Sequence, residues 1–277
     1  MRSPLGAIIL LILWKSVACS QQSDSLSVRE PSAIDIIQGD GLTALKALGF
    51  ELSAPARWDG RDWLTFSAVG VGTAASSGLD IDVRALMRRN QTKRGGDLAN
   101  AAMQYGSGLN MILLSAGGYA AGLAVHNRWL RETSMLAGSA IIIAGTVSTL
   151  TKVVVGRARP YVQKGHLTFR PFTLSTEDYA SLPSGHTIVA FAFSGVLAER
   201  IQNTWASIAL YSLAASCGVS RMYTDEHWVS DVVLGALTSV AISRSLVSWF
   251  EAQKESSASG GLRLVPTGNA VTLVWEF

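Results

Sequence analysis

Cysteine is nearly missing. Cys19 lies beside an N-terminal apolar stretch and Cys217 inside an uncharged run, so the two cysteines supply neither a disulfide framework nor a thiolate metal cluster, and the fold must hold without staples. Charge is also scarce. Asp, Glu, Lys and Arg together make up 16% of the chain, against about 25% in an ordinary soluble domain, while hydrophobic residues reach 48%. That balance calls for a large interior or one that partly faces lipid. The net charge is only +3, and the basic residues form neither a tail nor a run interleaved with aromatics, which argues against nucleic acid as a partner. No interior stretch of the 277 residues reads as a linker between two cores, so we expect one domain.

What the chain does have begins at its N-terminus. MRSPLGAIILLILWKSVACS places Arg2 before an apolar run from Leu5 to Trp14, with small residues at Ser16, Ala18 and Ser20. This is the pattern of a signal peptide, with an apolar run too short to span a bilayer. Cleavage before Cys19 is the expected outcome; lipidation at Cys19, whose Ser16-Val17-Ala18-Cys19 setting faintly resembles a lipoprotein processing site, and retention as an uncleaved interfacial anchor are the alternatives. From Gln21 to about Arg57 the chain is polar with turn formers at Pro31, Gly39 and Pro55, and reads as an extension lying on a core.

Six apolar stretches follow, at 63–79, 98–127, 133–151, 186–198, 201–220 and 232–243, all long enough to favour helices over strands. Their Ala, Gly, Ser and Thr content allows close helix approach in membranes and in soluble bundles alike. If all six crossed a membrane behind a cleaved signal, the loops after the first, third and fifth would be cytoplasmic, and these carry the basic excess. An exported enzyme with a cytoplasmic active face would be inconsistent. We therefore expect export to the cell envelope and a periplasmic bundle, either soluble or membrane-associated, with integral membrane insertion an open alternative. In the C-terminal tail Val271, Leu273, Trp275 and Phe277 alternate behind the turn signal Pro266-Thr267-Gly268-Asn269, which predicts a β-hairpin. The resulting division is a signal peptide at 1–18, an N-terminal extension at 19–60, a helical core at 61–253 and a hairpin at 260–277.

Three segments carry chemistry. Lys152-Val-Val-Val-Gly-Arg157-Ala-Arg159-Pro160 closes the third apolar stretch. Pro160 disfavours helix at Arg159, so the chain leaves the helix with cations in close succession that can clamp a phosphate dianion. Taken alone, the segment reads equally well as a basic helix end set against its own dipole. Pro183-Ser184-Gly185-His186 opens the fourth stretch and puts free N–H groups and a histidine at a helix N-terminus, a ready anion site. Taken alone it is more simply a cap followed by a satisfied histidine. The third segment runs from Ser220-Arg221 to His227 and Asp231. A four-residue spacing puts the imidazole and carboxylate on one helix face, where the carboxylate fixes the tautomer and frees the other ring nitrogen to attack. All three segments fall at one end of the bundle, which lowers the weight of each bland reading. His126 and His166 lack a partner motif, Asp225 and Glu226 read as a solvated turn, and Arg84, Arg88, Arg89, Lys93 and Arg94 as a solvated face on the active side.

Together these segments look like the tripartite signature of the type 2 phosphatidic acid phosphatase superfamily, which includes bacterial acid phosphatases, lipid phosphatases and vanadium haloperoxidases. Every motif position is filled, over the span from Lys152 to Asp231. The resemblance implies an all-α six-helix bundle and a phosphatase acting on phosphomonoesters or pyrophosphates, with phosphorylated small-molecule or lipid substrates and no metal or other cofactor. It implies that His227 attacks phosphorus, Asp231 orients it, and His186 protonates the leaving oxygen and then activates water. Lys152, Arg159 and Arg221 would hold the phosphate oxygens, with Ser184 and the Gly185 N–H completing the cradle and Arg157 in a lesser role. Two alternatives stand beside it: a vanadium-dependent haloperoxidase, whose members usually have longer chains, and a non-catalytic phospholipid-binding envelope protein.

Overall fold

The computed structural model describes residues 32–172, 176–258, 262–267 and 270–275. The expected signal peptide and Cys19 lie outside the described residues. The chain is helical, with α1 (Ala33–Leu52), α2 (Gly60–Ser77), α3 (Asp80–Arg89), α4 (Lys93–Gln104), α5 (Gly108–Ala124), α6 (Arg128–Val155), α7 (Gly185–Ile201), α8 (Thr204–Tyr223) and α9 (Val229–Ala258). Beyond them β1 (Leu262–Thr267) and β2 (Ala270–Trp275) pair antiparallel, with Leu264 opposite Leu273.

The expected count of six helices gives way to nine α-helices among the described residues, for three physical reasons. α1 lies in the stretch read as an extension, its apolar residues interrupted by glycines and charges, yet Ser32 and Asp35 close a full capping box at its start, and Ala47 and Leu48 seat it on the core. α3 is too charged to register as an apolar stretch. The stretch 98–127 is broken at Tyr105-Gly106-Ser107, where the Ser107 hydroxyl accepts from Asn110 N–H and starts α5. Uninterrupted hydrophobicity concealed that cap.

α7 lies at the centre and packs on α6, α8 and α9, while α1 leans on α6 and α9, and α3 and α4 cover α8. Leu136, Ile143, Ile188, Val196 and Leu246 are almost fully buried where α6, α7 and α9 meet. Close approach of α7 and α9 depends on Gly195: a methyl there would lie 2.7 Å from the Ser243 hydroxyl. That hydroxyl and the one of Ser239 donate to the carbonyls of Ala192 and Ile188 at 3.1 and 2.9 Å, joining the two helices through polar contacts as membrane helices commonly are. Two helices, Arg128–Val155 and Val229–Ser256, are long and apolar enough to cross a membrane. Large apolar side chains also stand exposed on α2, α5 and α8, among them Leu64, Leu109, Leu113 and Trp205.

Candidate active site

α6 stops before Pro160 does its work. Gly156 takes the left-handed conformation at φ 58°, its N–H bonds the Lys152 carbonyl, and a side chain there would collide with the Arg170 carbonyl. Lys152 is thus in the last helical turn, and Arg157 and Arg159 lie in the extended chain beyond it. The three motif segments are stitched together by backbone groups. Ser181 N–H donates to Arg157 O at 3.1 Å, Tyr161 N–H to Asp225 O at 3.2 Å, and Ser184 N–H to Asp231 O at 3.1 Å. The Trp228 indole adds a fourth link, donating to Ala158 O at 2.9 Å. Segments distant in sequence are therefore fixed by main-chain bonds, which do not depend on long flexible side chains.

His227 follows a short turn after α8, with its N–H on the Arg221 carbonyl. Its ring is almost completely buried, and Nδ1 stands 3.6 Å from Asp231 Oδ2. That distance exceeds a hydrogen bond, and the buried Nδ1 has no other partner among the described residues. Asp231 occupies the third position of α9 and accepts the Trp228 N–H at 2.9 Å, so it caps its own helix while facing His227. It also accepts from the Ser181 hydroxyl and, at 2.7 Å, from Arg157 Nη1. Burial pushes the His227 imidazolium down from its ordinary pKa, opposed by Asp231 and aided by Arg159 and Lys152. The neutral ring is the nucleophilic form.

His186 sits in the first turn of α7. Burial, followed by the charges of Arg221, His227, Lys152 and Arg159, lowers it to about 4. This puts His186 within electrostatic reach of every expected phosphate-holding cation and of the expected nucleophile. The start of α7 is open: Ser184 makes no side-chain cap, its hydroxyl instead accepting from Thr187 at 2.9 Å. Lys152 Nζ is 3.4 Å from where a Cβ on Gly185 would stand, so the ammonium and the free end of α7 face one space. Half-buried Lys152 has no ion pair among the described residues, and Arg221 Nε is buried without a partner. Positive charge and donors there exceed the acceptors available, as an anion site requires.

All eight expected site residues, Lys152, Arg159, Ser184, Gly185, His186, Arg221, His227 and Asp231, come to this one end of the bundle. Three readings of the sequence need correction. Asp225 and Glu226 are not a solvated turn. Asp225 accepts two bonds from Arg84, at 2.6 and 2.8 Å, which also removes Arg84 from the solvated face. The Glu226 carboxylate pairs with Arg159 and lies 3.5 Å from Arg221 Nη2, so it occupies two of the cations expected to hold phosphate. Arg157 is also not a lesser clamp on phosphate: it is buried, with its guanidinium bonded to Asp231, Ser230 and Asp80. Asp80 gave no sequence signal beyond being an acid at a helix start, and it stands 1% exposed.

Comparison with known proteins agrees with the motif resemblance. The PAP2 superfamily model matches residues 133–255. A lipid A 1-phosphatase of Porphyromonas gingivalis is 39% identical over 64 residues, 22% of this chain and 14% of that protein. A lipid A 1-phosphatase of Rhizobium johnstonii is 30% identical over 97 residues, 34% of this chain and 38% of that protein. The chain thus spans well under half the length of these curated relatives. Among solved structures, LpxE of Aquifex aeolicus aligns over 61% of this chain and 95% of its own, at 19% identity and a TM-score of 0.48. A transmembrane PAP2-type phosphatidylglycerolphosphate phosphatase of Bacillus subtilis aligns over 76% of this chain and 96% of its own, at 14% identity and a TM-score of 0.45.

Proposed function

We propose, from the match of residues 133–255 to the PAP2 superfamily model, that the protein is a phosphatase of lipid-borne phosphomonoesters or pyrophosphates that works through a phosphohistidine on His227. The observation that carries this reading is a buried imidazole set beside Asp231, at the end of the bundle where Lys152 has no ion pair among the described residues, Arg221 Nε has no partner and the start of α7 has no side-chain cap. A site that only bound phosphate would need the cations but not the His227–Asp231 pair.

In the first step the ring nitrogen of His227 remote from Asp231 attacks phosphorus. The P–N bond forms, the P–O bond to the leaving group breaks, and His186 gives its proton to the departing oxygen. In the second step His186 takes a proton from water, the water oxygen attacks phosphorus, and the P–N bond breaks to release inorganic phosphate and free His227. His186 is neutral in the empty site. Burial is the main cause, and the charges of Arg221, Lys152 and Arg159 add to it; a bound phosphate dianion offsets that second part and raises the proton affinity of His186. Lys152, Arg159, Arg221 and the Gly185 N–H then meet the charge that develops on the equatorial oxygens.

The lipid side of this reading draws support from the apolar side chains exposed on α2, α5 and α8, from two helices of membrane-crossing length, and from the lipid A 1-phosphatase names of the relatives. We accordingly place the protein in the cell envelope, associated with the membrane. Phosphate release from a panel of soluble phosphomonoesters, phosphatidic acid, phosphatidylglycerophosphate, undecaprenyl pyrophosphate and lipid A 1-phosphate tests the assignment. Turnover of at least one lipid in the panel is expected. Release from none of them by folded protein overturns it.

A further inference from the structure

Helix α3 carries two residues that reach the nucleophile's segment from outside the family-matched region. Asp80, its first residue, accepts the Ser230 N–H at 3.0 Å and the Ser230 hydroxyl at 2.8 Å. It therefore caps the N-terminus of α9 from another helix, where the apolar Trp228 cannot. The same carboxylate accepts Arg157 Nη2 at 2.7 Å, while Arg157 Nη1 holds Asp231 Oδ1 at 2.7 Å. One turn along α3, Arg84 grips Asp225 through both carboxylate oxygens, and Asp225 sits in the left-handed conformation two residues before His227. The segment from Asp225 to Asp231 is thus fastened to α3 at both ends, with His227 between.

Resting on the phosphatase reading above, we infer that Asp80 and Arg84 are positioning residues for His227, acting through Ser230, Arg157 and Asp231 on one side and Asp225 on the other. Neither touches the substrate. Their geometry argues for placement and not general stability alone. Asp80 meets Asp231, which faces the imidazole, through a single guanidinium, and the fork of Arg157 has one fixed shape that transmits position from one carboxylate to the other. Arg84 meets the loop that enters His227, is mostly buried, and pairs with one carboxylate, that of Asp225, among the described residues. The Arg84 guanidinium also lies 5.5 Å from the Trp228 ring, and the Arg157 guanidinium 5.8 Å from it, so both cations pack near the residue that follows His227.

The test uses the full chain with Asp80→Asn, which keeps the volume and removes the charge, and Arg84→Gln, which leaves the buried network intact. Two readouts are taken: the ¹⁵N chemical shifts of the His227 imidazole, and kcat and KM for the best substrate of the panel. We expect altered His227 shifts in both variants. We also expect kcat to fall by about tenfold or more in Asp80→Asn and by a smaller factor in Arg84→Gln, with KM nearly unchanged, because small displacements of a reacting group act on the chemical step. Arg84→Lys, which keeps one contact to Asp225, should recover part of the loss. If Asp80→Asn fails to fold, Arg84→Gln and Arg84→Lys decide the matter alone. A folded variant with wild-type His227 shifts and wild-type kcat overturns the inference. Wild-type protein that releases no phosphate overturns the phosphatase reading instead, and the imidazole shifts then still decide the role of α3.

Discussion

The imidazole Nδ1 of His227 stands 3.6 Å from Asp231 Oδ2, with Arg157 bonded to the other oxygen of the same carboxylate at 2.7 Å. Asp231 thus already shares the Arg157 guanidinium with Asp80 before His227 claims it. A full hydrogen bond to the imidazole need form only when His227 gains positive character on attack, which is where such a contact lowers a barrier.

Lys152 is expected to matter to turnover and not to folding. It has no ion pair among the described residues, so Lys152→Met removes no stabilising partner. We predict unfolding within experimental error of wild type and a kcat/KM lower by about 10²-fold, the usual loss for one charge-stabilising donor. Steady-state kinetics and thermal unfolding on the same sample check both halves.

Arg157 has the reverse profile. It is buried between Asp80 and Asp231, and removing one member of a buried ion-pair network leaves charges uncompensated. Arg157→Met should destabilise the protein by about 3–5 kcal/mol and lose activity with it, as denaturant unfolding will show.

Glu226 occupies Arg159 and lies close to Arg221 in the empty site, so an incoming phosphate must displace it. Glu226→Gln removes that competition. KM for substrate and the inhibition constants of inorganic phosphate and vanadate should all fall, by several-fold, which inhibition kinetics at fixed ionic strength can measure. Unchanged constants would mean that the carboxylate moves aside at no cost.

The pH dependence follows from the two histidines. His186 is held at about 4 and His227 is also lowered, so between about 4 and the ordinary value of 6.5 the unfolded chain binds more protons than the folded one. Stability is fully present above pH 6.5 and is lost as pH falls through that window. Added phosphate should reduce the loss, because it favours protonated His186. For catalysis the acid must be protonated, so kcat/KM falls as pH rises above the low free-enzyme value, while the corresponding limb of kcat lies at higher pH. Melting curves and pH profiles with and without phosphate give the comparison.

The chemistry of the site was far more legible in the sequence than its support. Lys152, Arg159, His186, Arg221, His227 and Asp231 lie in short segments whose spacing carries their meaning, and the long apolar stretches marked the central helices. Asp80 could not be found that way. An acid at the start of DIDVRALMRR reads as an ordinary first-turn residue, and its partners Arg157 and Ser230 are 77 and 150 positions away. Asp225 and Glu226 read as solvated for the same reason: their cations come from α3 and from the chain after α6. The helix boundary at Ser107 was hidden inside apolar surroundings, where hydrophobicity outweighed the capping signal, while the end of α6 was legible but is set by Gly156 in place of Pro160.

The most direct test of the central claim is rapid-quench trapping of a labelled phosphoryl group on the protein during turnover. Wild-type protein should carry a transient, acid-labile and alkali-stable phosphohistidine that maps to His227. His186→Ala should accumulate it as water attack slows, and His227→Ala should show neither the adduct nor phosphate release while keeping its fold. Steady phosphate release by His227→Ala would contradict the account.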